Sequence, residues 1–352
     1  MATDTLISGS SVAVPEHLKD MPTILCHHTH TTDSNDAEHA VRGHTNGGHH
    51  GDYVSMVGAA PPNLDLIFTR TEHWQADPAR FDRLAERVSK RDGTVDRFES
   101  HVVFTVAGSR GVVINGIETS LETDNSHVTV CGLPIEDRPP ARACSLDELC
   151  RLGREAAWVA PAHPRFPKLG FPDTRLRSFL DRADEEPFDV ALGYTTGYPA
   201  LLNALARGKH TTRPIRAYAR EYDLPLLPEL DWHAALPQSP SGFGIVADQA
   251  VSALVDGRIP TTQLLAARLL KTGRRPVGMT WPDFVRTFPE AVPEPLRSIL
   301  GVASPSEDRL RAIRDGTIGE LFAHPFWKQF CRRSSSSYEA STEGGTQKRK
   351  KQ

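Results

Sequence analysis

What most constrains this chain is an alternation. From residue 23 to about 246, short β-type runs are separated by helix-like segments. The β-type runs are TIL (23–25), LDLIF (64–68), HVVFTVAG (101–108), GVVING (111–116), HVTVCGL (127–133), AAWVAPA (156–162), FDVALGY (188–194) and LPLLPEL (224–230). Helix-like segments between them include PARFDRLAERVSKRDG (78–93), SLDELCRLGREA (145–156) and YPALLNALARGK (198–209). Ser145 and Glu148 form a capping box at the start of the second. Strand–helix alternation predicts a parallel sheet, and this many repeats predicts a barrel.

The pattern then changes. From 247 to 331 the chain reads as helices only, with helical apolar spacing in DQAVSALVDG (248–257) and TTQLLAARLLKTG (261–273). In SPSE (304–307), Ser304 is the expected cap, Pro305 the first helical residue and Glu307 the third. Residues 1–22 are polar and small, a flexible lead-in, and 332–352 carry too little apolar content to fold. That second segment ends in the basic run KRKK (348–351), read as a solvated end in a disordered basic tail. Four regions are therefore expected: 1–22, a barrel over 23–246, a helical region over 247–331 and the tail.

Composition narrows the function classes. A formal charge of −3 favours neither a general nucleic-acid binder nor a polyacidic chain. Five scattered cysteines without a C-x-x-C pair argue against a disulfide framework or a thiolate zinc ribbon. The N-terminus lacks a signal-peptide pattern, and no run reaches the roughly 18 apolar residues of a membrane span. The expectation is a soluble cytoplasmic protein that does not engage membrane.

Chemistry-bearing residues gather at the β-type runs. TIL leads to His28 and His30, an i, i+2 pair that shares one face if the extended backbone continues. LDLIFTRTEH ends in Glu72 and His73, and GVVINGIE in Glu118. His127 opens the next run, His163 follows another, and Asp231 and His233 close the last. In a β/α barrel the C-terminal strand ends meet at one mouth, where catalytic sites form. Imidazole with carboxylate is a ligand set for zinc, manganese or iron rather than calcium. By contrast, the Gly- and Asn-containing tract with His44, His49 and His50 reads as a loop.

This ordered set resembles the polymerase and histidinol phosphatase (PHP) family of metal-dependent phosphoesterases. The H-x-H-T motif matches His28-Thr29-His30-Thr31, and SND (34–36) follows it. TEH (71–73) resembles the family's T-D-H, GIE (116–118) its strand-end glutamate, and AHP (162–164) its H-P motif. His127 resembles the histidine that starts the following strand, and LDWH (230–233) the closing S-D-x-H. The likeness spans residues 23–235 and rests on the order of six individually weak motifs. Departures stand at Cys26, where the family has Asp, and at His27, Glu72 and Leu230.

The resemblance implies a distorted (β/α)7-type barrel with a C-terminal helical appendage. It also implies two or three divalent ions (Zn, Mn or Fe). His28, His30, Glu118 and Asp231 would hold one metal, and Glu118 would bridge to a second completed by His127 and His163. A third would use His73, His233 and a ligand near Asp36 or His39. The implied reaction is phosphate-ester hydrolysis by hydroxide generated on the metals. Asp231 or His233 would position the nucleophile or protonate the leaving group. Arg165, with Lys168 second, would pair with the phosphate. Implied partners are a small phosphorylated substrate, a nucleotide or a nucleic-acid end. Two other readings stand beside it: a noncatalytic metal-binding module for regulation or interaction, and a C–N hydrolase at a similar binuclear barrel. The latter calls for a bridging lysine where this chain has Glu118.

Overall fold

The computed structural model describes residues 23–30, 53–73, 79–123, 126–137, 144–164, 170–186, 188–195, 212–232, 244–246, 248–266, 289 and 294–314. Within them lie ten strands: β1 (Thr23–Thr29), β2 (Asp65–His73), β3 (Thr94–Arg97), β4 (His101–Val106), β5 (Ser109–Ser120), β6 (His127–Cys131), β7 (Trp158–Pro161), β8 (Leu192–Thr195), β9 (Leu226–Trp232) and β10 (Gly244–Val246). The helices are α1 (Tyr53–Gly58), α2 (Ala79–Ser89), α3 (Leu146–Glu155), α4 (Asp173–Glu185), α5 (Thr212–Glu221), α6 (Asp248–Val255), α7 (Glu294–Leu300) and α8 (Glu307–Arg314).

All ten strands join one mixed sheet, and its order corrects the barrel expectation. The main path runs β3-β4-β5-β2-β1-β9-β8, with β10 added at β1, and β6 and β7 branching from β5. The ladders β1/β2, β1/β9, β2/β5 and β8/β9 are parallel. Those of β3/β4, β4/β5, β5/β6, β6/β7 and β1/β10 are antiparallel. Among the described residues, β7 and the segment leading to β8 are joined only by an isolated bridge, Val159 to Val190. Among the described residues no continuous ladder closes the sheet, so it is not the (β/α)7-type barrel that the alternation and the resemblance implied.

The reason is local. Val106 pairs with Ser109, which leaves a two-residue turn at Ala107 and Gly108 with φ of 52° and 82°. Both positive angles suit the type I′ turn that joins antiparallel neighbours. Only six residues separate Ser120 from His127, too few for a parallel crossover, which needs about a dozen or more.

Alternation along the strands sorts side chains onto two faces. On the outer face, Ile24, Cys26, Leu66, Phe68 and Val113 pack with Val54 and Val57 of α1 and Phe81, Leu84 and Val88 of α2. Val128, Val130 and Val159 pack with α3, α4 and α5 through Leu149, Leu152, Leu176, Phe179, Leu180 and Ile215. On the inner face, Leu25, Ile67, Val112, Ile114, Trp158, Ala160, Ala191 and Leu227 form a third cluster, closed by Val251 and Leu254 of α6. This inner cluster is the floor on which the polar site stands.

Ser145 caps α3, its hydroxyl accepting the backbone N–H of Glu148 at 3.2 Å. The cap of α8 is Ser306, not the Ser304 expected from SPSE, and its hydroxyl accepts the Arg309 N–H at 3.3 Å. YPALLNALARGK (198–209), the segments 1–22 and 332–352 and the tract with His44, His49 and His50 lie outside the described residues. Cys26, Cys131, Cys144 and Cys150 are buried free thiols. Among the described residues, no helix is long and apolar enough to cross a membrane.

Candidate metal centre

Glu118, near the end of β5, is fully buried and stands among four histidines. One carboxylate oxygen, Oε2, lies 3.3 Å from His28 Nε2 and 3.4 Å from His30 Nε2. The other, Oε1, lies 2.7 Å from His127 Nδ1 and 3.3 Å from His163 Nε2. The rings are close, with centroids 5.1 Å apart for His28 and His30 and 5.2 Å for His127 and His163. Two groups result, His28–His30–Glu118 and Glu118–His127–His163, each with its donor atoms within 4.8 Å of one another. A buried carboxylate needs hydrogen bonds, an opposite charge or a metal. Imidazole nitrogens with carboxylate oxygen and no thiolate suit a divalent transition-type ion. These five residues can bind a metal ion.

The fold brings the five together from four places. His28 comes from β1, His30 from the residue just past its end, Glu118 from β5 and His127 from the start of β6. His163 follows the end of β7 in a bend with φ of 28°.

The His28–His30 pair reaches the inner face by a different route from the one the i, i+2 rule supplies. Leu25 packs on the inner face and Cys26 on the outer. Unbroken alternation would therefore put residues 28 and 30 on the outer side with Cys26. Instead His28 has φ of 59°, and the β1 register slips against both β2 and β9 at this point. The irregularity resets the alternation and turns both imidazoles inward. Thr69 holds the shifted backbone by accepting the His28 N–H at 2.7 Å. The Thr69 hydroxyl also hydrogen-bonds His27 Nδ1 at 2.8 Å. His27 is thus a packing residue below the site, 6.3 Å between ring centres from Trp158. Burial, and then the neighbouring His28, push its pKa down to about 3.

The other expected residues are placed only in part. His73 ends β2, where its backbone is the parallel register partner of Glu118. Asp231 lies in β9, one residue before Trp232, which pairs with Thr29. The side chains of His73 and Asp231, and all of His233, Arg165, Lys168, Asp36 and His39, lie outside the described residues. Glu72 is buried and accepts from Arg70 Nε at 2.6 Å.

One residue at the site was missed from the sequence. Glu229 in β9 is buried and accepts the His28 Nδ1–H at 2.6 Å and the His163 backbone N–H at 2.8 and 2.9 Å. A signal for it existed, since Glu229 stands two residues before Asp231 on the same strand. Compared with protein-family models the chain matches none, and no curated protein matches it.

Proposed function

We propose that this chain is a metal-dependent phosphoesterase that holds two or three divalent ions, zinc, manganese or iron, at the Glu118 cluster. The observation that supports it most is the division of Glu118, with one oxygen toward His28 and His30 and the other toward His127 and His163. A carboxylate shared by two histidine pairs is the arrangement a binuclear centre needs. The order of motifs along the sequence, which resembles the PHP family, adds the reaction class.

When bound, paired divalent ions polarise a phosphoryl oxygen and activate water for in-line attack. Glu118 would keep the ions adjacent, while the buried imidazoles hold them without adding negative charge that would repel a phosphate. Asp231 and His233 would orient the attacking water or hand a proton to the leaving oxygen. Arg165 would bind the phosphate through paired N–H donors. Substrates of this class are small phosphomonoesters, nucleotides and nucleic-acid ends.

The test is metal analysis of protein purified without chelator, followed by turnover of phosphomonoesters, dinucleotides and short oligonucleotides with added manganese or zinc. Bound metal and phosphate release that both vanish in Glu118→Gln support the reading. Bound metal without turnover on any substrate class would favour a noncatalytic metal-binding module instead.

A further inference from the structure

We infer that Glu229 is the positioning residue of the cluster, fixing the His28 tautomer and the His163 bend together so that both rings present Nε2 to Glu118. The inference concerns the site of the reading above, and its link to metal affinity rests on that reading. Three observations carry it. First, the Glu229 carboxylate accepts the His28 Nδ1–H at 2.6 Å, within the range of charge-assisted bonds. This holds the proton on Nδ1 and leaves the Nε2 lone pair directed at the space beside Glu118 Oε2, 3.3 Å away.

Second, the same carboxylate takes the His163 backbone N–H with both oxygens, at 2.8 and 2.9 Å. His163 sits at φ of 28°, a conformation that L-residues adopt at a cost and that surrounding contacts must hold. Third, room for Glu229 is built into the neighbouring strand. A Cβ on Gly193 of β8 would lie 2.5 Å from Glu229 Oε2 and 3.1 Å from the Pro161 carbonyl. No side chain but hydrogen fits there without moving the carboxylate.

One carboxylate on β9 thus joins a ligand from β1 to a ligand after β7. His28 belongs to one histidine pair and His163 to the other, so Glu229 sets the spacing of both donor groups. A carboxylate behind a metal-ligating histidine orients the ring and raises its basicity, and removing it lowers metal affinity by about 10- to 100-fold.

The experiment compares the intact chain with Glu229→Gln, Glu229→Ala and Gly193→Ala, none of which removes a donor of the two groups. Long-range proton–nitrogen NMR of the metal-free protein reads the His28 tautomer, and zinc titration against a competing chelator reads affinity. Circular dichroism and thermal unfolding report folding. The expected result is a His28 held as the Nδ1–H form in the intact chain. That form gives way to a mixture in Glu229→Gln and Gly193→Ala, with zinc affinity about 10- to 100-fold weaker. Glu229→Ala leaves two buried donors and can unfold, so the near-isosteric Gln and the neighbouring-strand Gly193→Ala carry the decision. An unchanged tautomer and unchanged affinity in folded variants would overturn the inference while the metal reading stood. A chain that takes up no zinc would end the metal reading, and the tautomer readout would still judge Glu229.

Discussion

Glu118 carries more of the site than any other single side chain because its two oxygens serve different histidine pairs. Replacing it by Gln keeps the volume but removes the charge that both groups share. The expected outcome is loss of metal from both groups, with turnover falling by more than the roughly 100-fold upper range seen when a supporting residue is removed. His127→Ala touches only the group with His163, so it should lower the metal-to-protein ratio while the His28–His30 group keeps its ion. Elemental analysis of the two variants beside the intact chain distinguishes these outcomes. His28, His30, Glu118, His127 and His163 could be named from the sequence because each sits at the edge of an apolar run, in an order that makes sense only if the run ends converge. Glu229 was passed over although it lies on a run already marked as a strand. Its role depends on two partners, 201 and 66 residues away, that no local pattern connects to it.

At the scale of elements, the end of α6 is gripped by the turn between β3 and β4. His101 Nε2–H donates to the Leu254 carbonyl at 2.8 Å, and its ring stacks on Phe98 with centroids 4.7 Å apart. α6 closes with the Arg258 N–H on the Ala253 carbonyl and the Gly257 N–H on the Leu254 carbonyl, the pattern of a glycine stop. Gly257 has φ of 80°, and a Cβ there would meet the Phe98 ring at 2.8 Å. Gly257→Ala is therefore expected to cost about 1–2 kcal/mol, seen as a lower thermal midpoint. The same joint should respond to acid. Burial lowers the His101 pKa from its ordinary 6.5, against the opposing pull of the Leu254 carbonyl. In the unfolded chain His101 protonates near 6.5 while the folded protein resists, so the unfolded state takes up more protons. Stability from this group is whole above about pH 6.5 and is lost as pH falls toward the lower folded value. Buried His27 adds a slope of the same sign. Denaturant midpoints at pH 7.5, 6.5 and 5.5 should fall in that order, and His101→Leu should flatten part of the decline.

At the scale of the whole molecule, the site draws on strands from across the sheet, so an ion bound there ties distant parts of the chain together. A ligand that binds only the folded state stabilises it by about 2.7 kcal/mol per site at a hundredfold excess over its dissociation constant. Zinc or manganese should raise the thermal midpoint, a chelator should reverse the rise, and Glu118→Gln should abolish it. A midpoint indifferent to metal in the intact chain would contradict the proposed centre.

The elements themselves were legible to a large degree. Of the eight marked β-type runs, each overlaps a strand, whereas β3 and β10, of four and three residues, were missed because so short a segment carries little periodic signal. Strand direction was misjudged. The Ala107-Gly108 turn and the six residues between β5 and β6 were visible signs of antiparallel pairing, and the strand–helix rhythm elsewhere masked them. By itself, then, the sequence marked eight of the ten described strands, some of the helices, and several imidazoles and carboxylates at the strand ends, because apolar periodicity and capping are local. Only the tertiary structure decided that the sheet of the described residues is mixed and unclosed, that β1 changes register at His28, and that Glu229 in β9 hydrogen-bonds both His28 and His163. Each of these depends on backbone register between strands far apart in sequence, where a shift of one residue exchanges the faces of every side chain. The stretch around His28 shows the division: its chemistry is written in the residues, and its direction comes from a single positive φ held by Thr69.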